Sequence, residues 1–232
     1  MNYNYQQQQY AMAAPSAEIR SQVMRNTYFL LALSLIPTAI GALIGVNMSF
    51  MFLMSSPIMG SLLLIGAMYF LMFMIEKNKY SFAGIVWMMA FTFLMGLLLG
   101  PLFQVALRLP NGSQLILLAA VLTSAVFFAM SAIAYTIKRE TPFLTNFLAI
   151  GGIVIMVGVI ANIFLHLPMF HLMLCGAFVI FSSLMILWQV NQIITGGETN
   201  YISATLSLYV SLYNLFTSLL QIIIALSGND RR

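Results

Sequence analysis

Seven stretches of this chain carry no charge in their interiors, and that fact constrains its fold more than any other. They run about Thr27–Val46, Pro57–Ile75, Phe82–Leu99, Gln114–Ile137, Pro142–Leu165, Leu172–Ile194 and Asn200–Leu226, without an Asp, Glu, Lys or Arg inside any of them. At about 1.5 Å of rise per residue, a helix of that length crosses the hydrocarbon of a bilayer. Backbone groups in lipid must be satisfied within their own segment, so each stretch reads as a helix. The whole chain of 232 residues is 62% hydrophobic and 6% charged, with a mean hydropathy of +0.98. Soluble domains carry about 25% charged residues. The expected fold is an all-α integral membrane protein, a seven-transmembrane-helix bundle whose partner is the lipid bilayer. Little chain is left for a soluble catalytic domain.

Three regions follow. Residues 1–25 form a polar tail rich in Tyr and Gln, expected to be disordered and cytoplasmic. It lacks the charged start, short apolar core and small-residue cleavage site of a signal peptide. Residues 26–228 form the membrane domain and residues 229–232 a short C-terminal tail. Arg20, Arg25, Lys77, Lys79, Lys138 and Arg139 fall on one side of the bilayer, and Arg108, Arg231 and Arg232 on the other. Six basic residues against three place the N-terminus in the cytoplasm, and an odd number of spans then places the C-terminus outside. The net charge of +4 is scattered beside apolar spans, so it sets topology and gives no sign of nucleic-acid binding.

The last span is unusually polar. At about 100° per residue, Ser203, Ser207, Ser211, Asn214, Ser218 and Gln221 fall within about 80° of one another. Such a stripe cannot face lipid, where an unpaired polar group costs several kcal/mol. It faces other helices or a water-filled cavity, which puts this helix in the middle of the bundle. Small polar residues also permit close helix approach. The sixth span carries a second stripe, Ser182, Gln189 and Gln192. A tight turn between the two spans makes them antiparallel, and Gln189 and Ser211 then reach similar depth. The candidate central polar path is Gln189, Gln192, Ser207, Ser211, Asn214 and Ser218.

The turn itself is Gly196-Gly197-Glu198-Thr199-Asn200. Glycine suits the C-cap of the sixth helix, and Thr199 or Asn200 the N-cap of the seventh. Glu198 sits near the positive end of that helix dipole. Capping accounts for the loop; the alternative is a cytoplasmic docking or gating loop.

Few residues invite chemistry. Glu18, Glu76, Glu140, Glu198 and Asp230 all lie in tails or loops, which counts against a pump or proton-coupled carrier. No metalloprotease, phosphate-loop or serine-hydrolase motif is present, so no catalytic residue, cofactor or metal is assigned. Met48, Met51 and Met54 have a spacing that suits Cu(I), but no Cys or His completes a site, and flexible packing explains them better. His166 and His171 flank a Leu-Pro turn, where they read as solvated or capping residues. Cys175, the single cysteine, has no disulfide partner and reads as a small buried residue.

Several stretches taken together resemble the Bax inhibitor-1 (TMBIM) family, in its bacterial inner-membrane branch. They are Arg25–Leu31, Gly96–Pro101 with its Gly-Pro, Ala120–Ala125, Ala161–Leu165, and Gly196–Tyr201 continuing through Leu208–Asn214. The resemblance implies a seven-helix bundle with the last helix central. It implies two functions. One is a Ca2+ leak channel whose pH gate is a pair of aspartates on helices six and seven; the matching positions here are Gln189 and Ser211, which do not titrate near neutral pH. The other, implied by the bacterial branch, is a non-enzymatic substrate and modulator of the membrane-anchored ATP-dependent protease FtsH, acting with HflK and HflC. The N-terminal tail suits the second, because a processive protease needs a loose end to grip.

Overall fold

The computed structural model describes residues 16–49, 57–137, 139, 141–165 and 167–229. Met51, Met54, Lys138, Glu140, His166, Asp230, Arg231, Arg232 and residues 1–15 of the tail lie outside that set. Seven helices make up the described chain: α1 Ala17–Asn47, α2 Pro57–Lys77, α3 Phe82–Leu107, α4 Gly112–Thr136, α5 Pro142–Leu165, α6 Pro168–Thr195 and α7 Tyr201–Asn229. Six of them, all but α2, are long and apolar enough among the described residues to cross a membrane.

Two helix ends differ from the sequence expectation. α1 starts at Ala17, inside the stretch read as a disordered tail. Ser16 caps it by accepting from the Ile19 amide at 3.3 Å, and Glu18 lies in the first turn. Val23 and Met24 are buried. Polar composition there does not mark where the helix begins. α3 runs through Gly100-Pro101 to Leu107 instead of stopping at Leu99. Pro101 has no amide to offer the Leu97 carbonyl, one turn earlier. That carbonyl lies against Gly45 of α1, where a Cβ would crowd it. A neighbouring backbone therefore fills the space left by the missing hydrogen bond.

This contact belongs to a close crossing of α1 and α3. Gly41 and Gly45 on α1 face Gly96 and Gly100 on α3, each pair four residues apart. A Cβ at Gly41, Gly96 or Gly100 would overlap a backbone carbonyl of the opposite helix, of Phe93, Thr38 and Gly45 respectively. Small residues at four-residue spacing let two backbones meet in this way.

Around that pair, α7 packs on α1, α2, α3, α4 and α6. α6 packs on α1, α4, α5 and α7. Among the described residues α5 packs on α6 alone, and Leu148 is its one buried residue. α1 and α4 have no Cα pair within 8 Å among the described residues. Only side chains cross the space between them, as where Tyr28 and Phe127 meet edge to face at 5.9 Å. The core gathers Leu30, Leu31, Met88, Phe91, Ile186, Val190, Leu208, Tyr209 and Leu215 from α1, α3, α6 and α7.

Candidate functional site

The polar residues of α7 sit in three different settings. At its start, Gly196 adopts a left-handed conformation (φ 89°), and the amides of Gly196, Gly197 and Glu198 all donate to the Gln192 carbonyl at 2.9–3.1 Å. This closes α6 and reverses the chain within a few residues. The Gln192 side-chain amide oxygen lies where a Cβ at Gly197 would sit, so a larger residue there would have to displace that flexible side chain. Asn200 opens α7: its Oδ1 accepts from the Ile202 and Ser203 amides at 2.9 and 3.1 Å. Its own amide donates to Glu198 at 2.7 Å, and its Nδ2 donates to the Lys79 carbonyl at 2.9 Å. Asn200 is thus a helix cap and also a tie to the α2–α3 turn. Thr199 is exposed and makes no cap contact.

Ser203 extends that tie. Its hydroxyl donates to Glu76 at 3.1 Å, and the same carboxylate pairs with Lys79 at 3.1 Å. The hydrogen bond to Glu76 holds the Lys79 amine above its ordinary pKa. Glu76 lies in the last turn of α2, not in a loop, and anchors the start of α7.

In the middle of the helix, Tyr209 is the polar centre. Its ring is buried and meets Phe91 edge to face at 5.9 Å. Its hydroxyl lies 2.7 Å from Thr38 Oγ1 on α1 and 3.3 Å from the Thr92 carbonyl on α3. Tyr209 lies off the serine stripe, and its face carries the bonds between helices, which the stripe alone does not reveal. The signal was present in its distance from the stripe. Gln189 and Ser211 are both buried, at 3% and 4% exposure, but no hydrogen bond joins them. The Ser211 hydroxyl turns back to the Ser207 carbonyl at 2.9 Å. A serine that can satisfy itself on its own helix does not need a partner across it.

Toward the other end, Asn214, Thr217, Ser218 and Gln221 line a cavity of about 290 Å3 together with Asn162, His171 and Cys175. The His171 Nε2 donates to Gln221 Oε1 at 2.7 Å, since the Gln221 amide nitrogen is engaged by the Thr217 carbonyl at 3.1 Å. The other ring nitrogen, Nδ1, then accepts from Asn162 Nδ2 at 3.4 Å. Cys175 Sγ lies 3.7 Å from Nε2. His171 belongs to α6, not to the turn expected before it. It joins α5, α6 and α7, a role its isolated position in the sequence gave no means to find. A larger cavity of about 710 Å3, lined by Tyr69, Thr145, Trp188 and apolar residues of α5 and α6, also reaches Asn214. Neither cavity is lined by Gln189, Gln192, Ser207 or Ser211. Of the six residues proposed as one path, two, Asn214 and Ser218, border these cavities. Among the described residues no three His, Cys, Asp or Glu cluster as a metal site would require.

Known proteins share this chain's sequence over nearly its full length. The modulator of FtsH protease YccA of Escherichia coli K12 is 44% identical over 202 residues, covering 87% of this chain and 89% of its own. An uncharacterized protein of Neisseria meningitidis serogroup A is 43% identical over 213 residues, covering 91% and 94%. One of Pseudomonas aeruginosa is 40% identical over 227 residues, covering 97% and 100%. The family described as inhibitor of apoptosis-promoting Bax1 matches residues 20–229, which takes in all but the first three residues of α1, the other six helices and the loop that caps α7. A helical membrane protein matched over that whole length belongs to the Bax inhibitor-1 family.

Proposed function

We propose that this protein is a non-enzymatic regulator in the bacterial inner membrane that binds and modulates FtsH and is itself a substrate of that protease. The observation that carries the reading is the 44% identity to a protein named for modulating FtsH. In this reading all seven helices span the bilayer and α7 is innermost, supported by its packing on five of the other six helices. The N-terminus is cytoplasmic and the C-terminus periplasmic. Arg20, Arg25, Lys77, Lys79 and Arg139 lie at the start of α1, the end of α2 and the end of α4, the side that also carries the Gly196–Asn200 loop. Gly197 and Thr199 are exposed there and offer a docking point for a cytoplasmic protease or its HflK and HflC partners.

Crosslinking in native membranes followed by purification tests this: FtsH should be recovered with the protein, and its absence refutes the reading. Removal of Met1–Ala14, which leaves the Ser16 cap intact, should lengthen the protein's half-life if that end is the handle. The competing function is a Ca2+ leak. Gln189 and Ser211 carry no titrating group, so purified protein in liposomes should pass little Ca2+ between about pH 6 and 8. Robust pH-gated flux would put the channel first.

A further inference from the structure

The space between α1 and α4 has the form of a lipid site. Both helices pack on α6 and α7, yet their backbones stay apart. The result is a groove of about 760 Å3, floored by Tyr209, Leu212, Tyr213 and Phe216 of α7 and walled mainly by apolar residues. A volume of this size matches that of sites that bury a small apolar ligand. Continuous with it, sharing Tyr28 and Tyr135, is a more polar cavity of about 820 Å3 at the end of the bundle where α1 begins. Arg20 and Arg25 line that mouth. Neither is in an ion pair among the described residues. Arg20 donates one hydrogen bond to the Ile194 carbonyl at 3.0 Å, which fixes its guanidinium at the rim, and Arg25 is exposed. Where mouth and groove adjoin, the buried Tyr28 hydroxyl interacts with Ser131 and Tyr135, but neither the Tyr28 nor the Ser131 hydroxyl has a hydrogen bond of good geometry among the described residues.

We infer that this groove binds an anionic phospholipid of the surrounding bilayer. The phosphate sits between Arg20 and Arg25, the ester region lies beside Tyr28 and Ser131, and one acyl chain lies along α7 between α1 and α4. Each part of that molecule meets a matching part of the protein. Two cations without a carboxylate partner among the described residues, at the membrane face, favour a phosphate. The ester oxygens are better-placed acceptors for the Tyr28 and Ser131 hydroxyls, whose mutual contact lacks good hydrogen-bond geometry, and hydrocarbon offers none. The acyl chain fills a groove that opens sideways because its two walls do not meet. A zwitterionic lipid fits the groove equally well and the mouth less well, so the arginines set selectivity and the groove sets occupancy.

Native mass spectrometry of the purified full chain tests this, with equimolar phosphatidylglycerol and phosphatidylethanolamine of matched acyl chains in mixed micelles. The unmodified protein should retain phosphatidylglycerol over phosphatidylethanolamine by about tenfold or more. Arg20→Gln with Arg25→Gln should bring the two lipids near parity, and Arg25→Gln alone, at an exposed side chain, should move the ratio the same way. Ala32→Trp, which fills the groove from an exposed position on α1, should reduce retention of both lipids. Equal retention of the two lipids by the unmodified protein overturns the inference, as does either class of variant behaving like the unmodified protein.

Discussion

α5 and α7 show opposite solutions to the same problem. α5 is almost wholly apolar, packs against one neighbour and buries one side chain, Leu148. α7 carries serines, threonines, Asn214 and Gln221, and packs against five neighbours. In a water-soluble protein the apolar helix would be the buried one. In a bilayer the solvent is itself apolar, so an apolar face gains nothing by leaving it, while a polar face must find protein. Between these two helices it is the more polar one that is buried, the reverse of what a water-soluble protein would show.

The contrast yields four tests, each read as thermal stability in detergent. Tyr209→Ala removes a buried ring and the bonds near Thr38 and Thr92, and should cost about 3–5 kcal/mol; Val154→Ala on the lipid face of α5 should cost less than about 0.5 kcal/mol. Comparable losses would erase the distinction between the helices. Ser211→Leu forces a larger side chain into a 4%-exposed position and should cost about 1–3 kcal/mol. If it melts with the unmodified protein, the stripe is not buried. Asn200→Ala removes the α7 cap and the tie to Lys79, an expected loss of about 1 kcal/mol; an unchanged melting temperature would mean that water replaces both contacts. Glu76→Gln should have the smallest effect, under about 1 kcal/mol, because the pair with Lys79 is half-exposed. Since Glu76 raises the Lys79 pKa, its contribution is complete below the ordinary lysine value and fades as pH climbs through the raised one. A loss in Glu76→Gln that persists above that range would assign the effect to Ser203 instead.

The existence and order of the helices were legible because uncharged runs of membrane length have one structural answer. Their ends were less so. Pro101 looks like a stop, and it is tolerated because Gly45 of another helix covers the freed Leu97 carbonyl, which no local pattern reports. The same limit applies to the site. Periodicity assigns Ser203, Ser211 and Ser218 to one face, and all three are buried. It does not assign a partner: Ser203 finds Glu76, more than a hundred residues earlier, while Ser211 finds its own helix. His171 and Asn162 meet Gln221 through the packing of three helices, a relation absent from any window of the chain. The glycines of α1 and α3 recur at four-residue spacing, but that spacing does not say which helix each pair meets.

Those glycines also bear on the order of assembly. Where Gly41 and Gly45 meet Gly96 and Gly100, no side-chain rotamers freeze when the crossing forms, so its entropic cost falls on the backbone alone. Both partners have been synthesised by Leu107, when α7 does not yet exist. α1 and α3 are therefore expected to pair as soon as α3 enters the bilayer, with α2 packed on α3. Crosslinking engineered cysteines across the crossing in chains ended after Leu107 would show it, and separate helices at that stage would refute it. The helix with the most polar contacts is the last to be made, and it closes a structure whose first joint is already set.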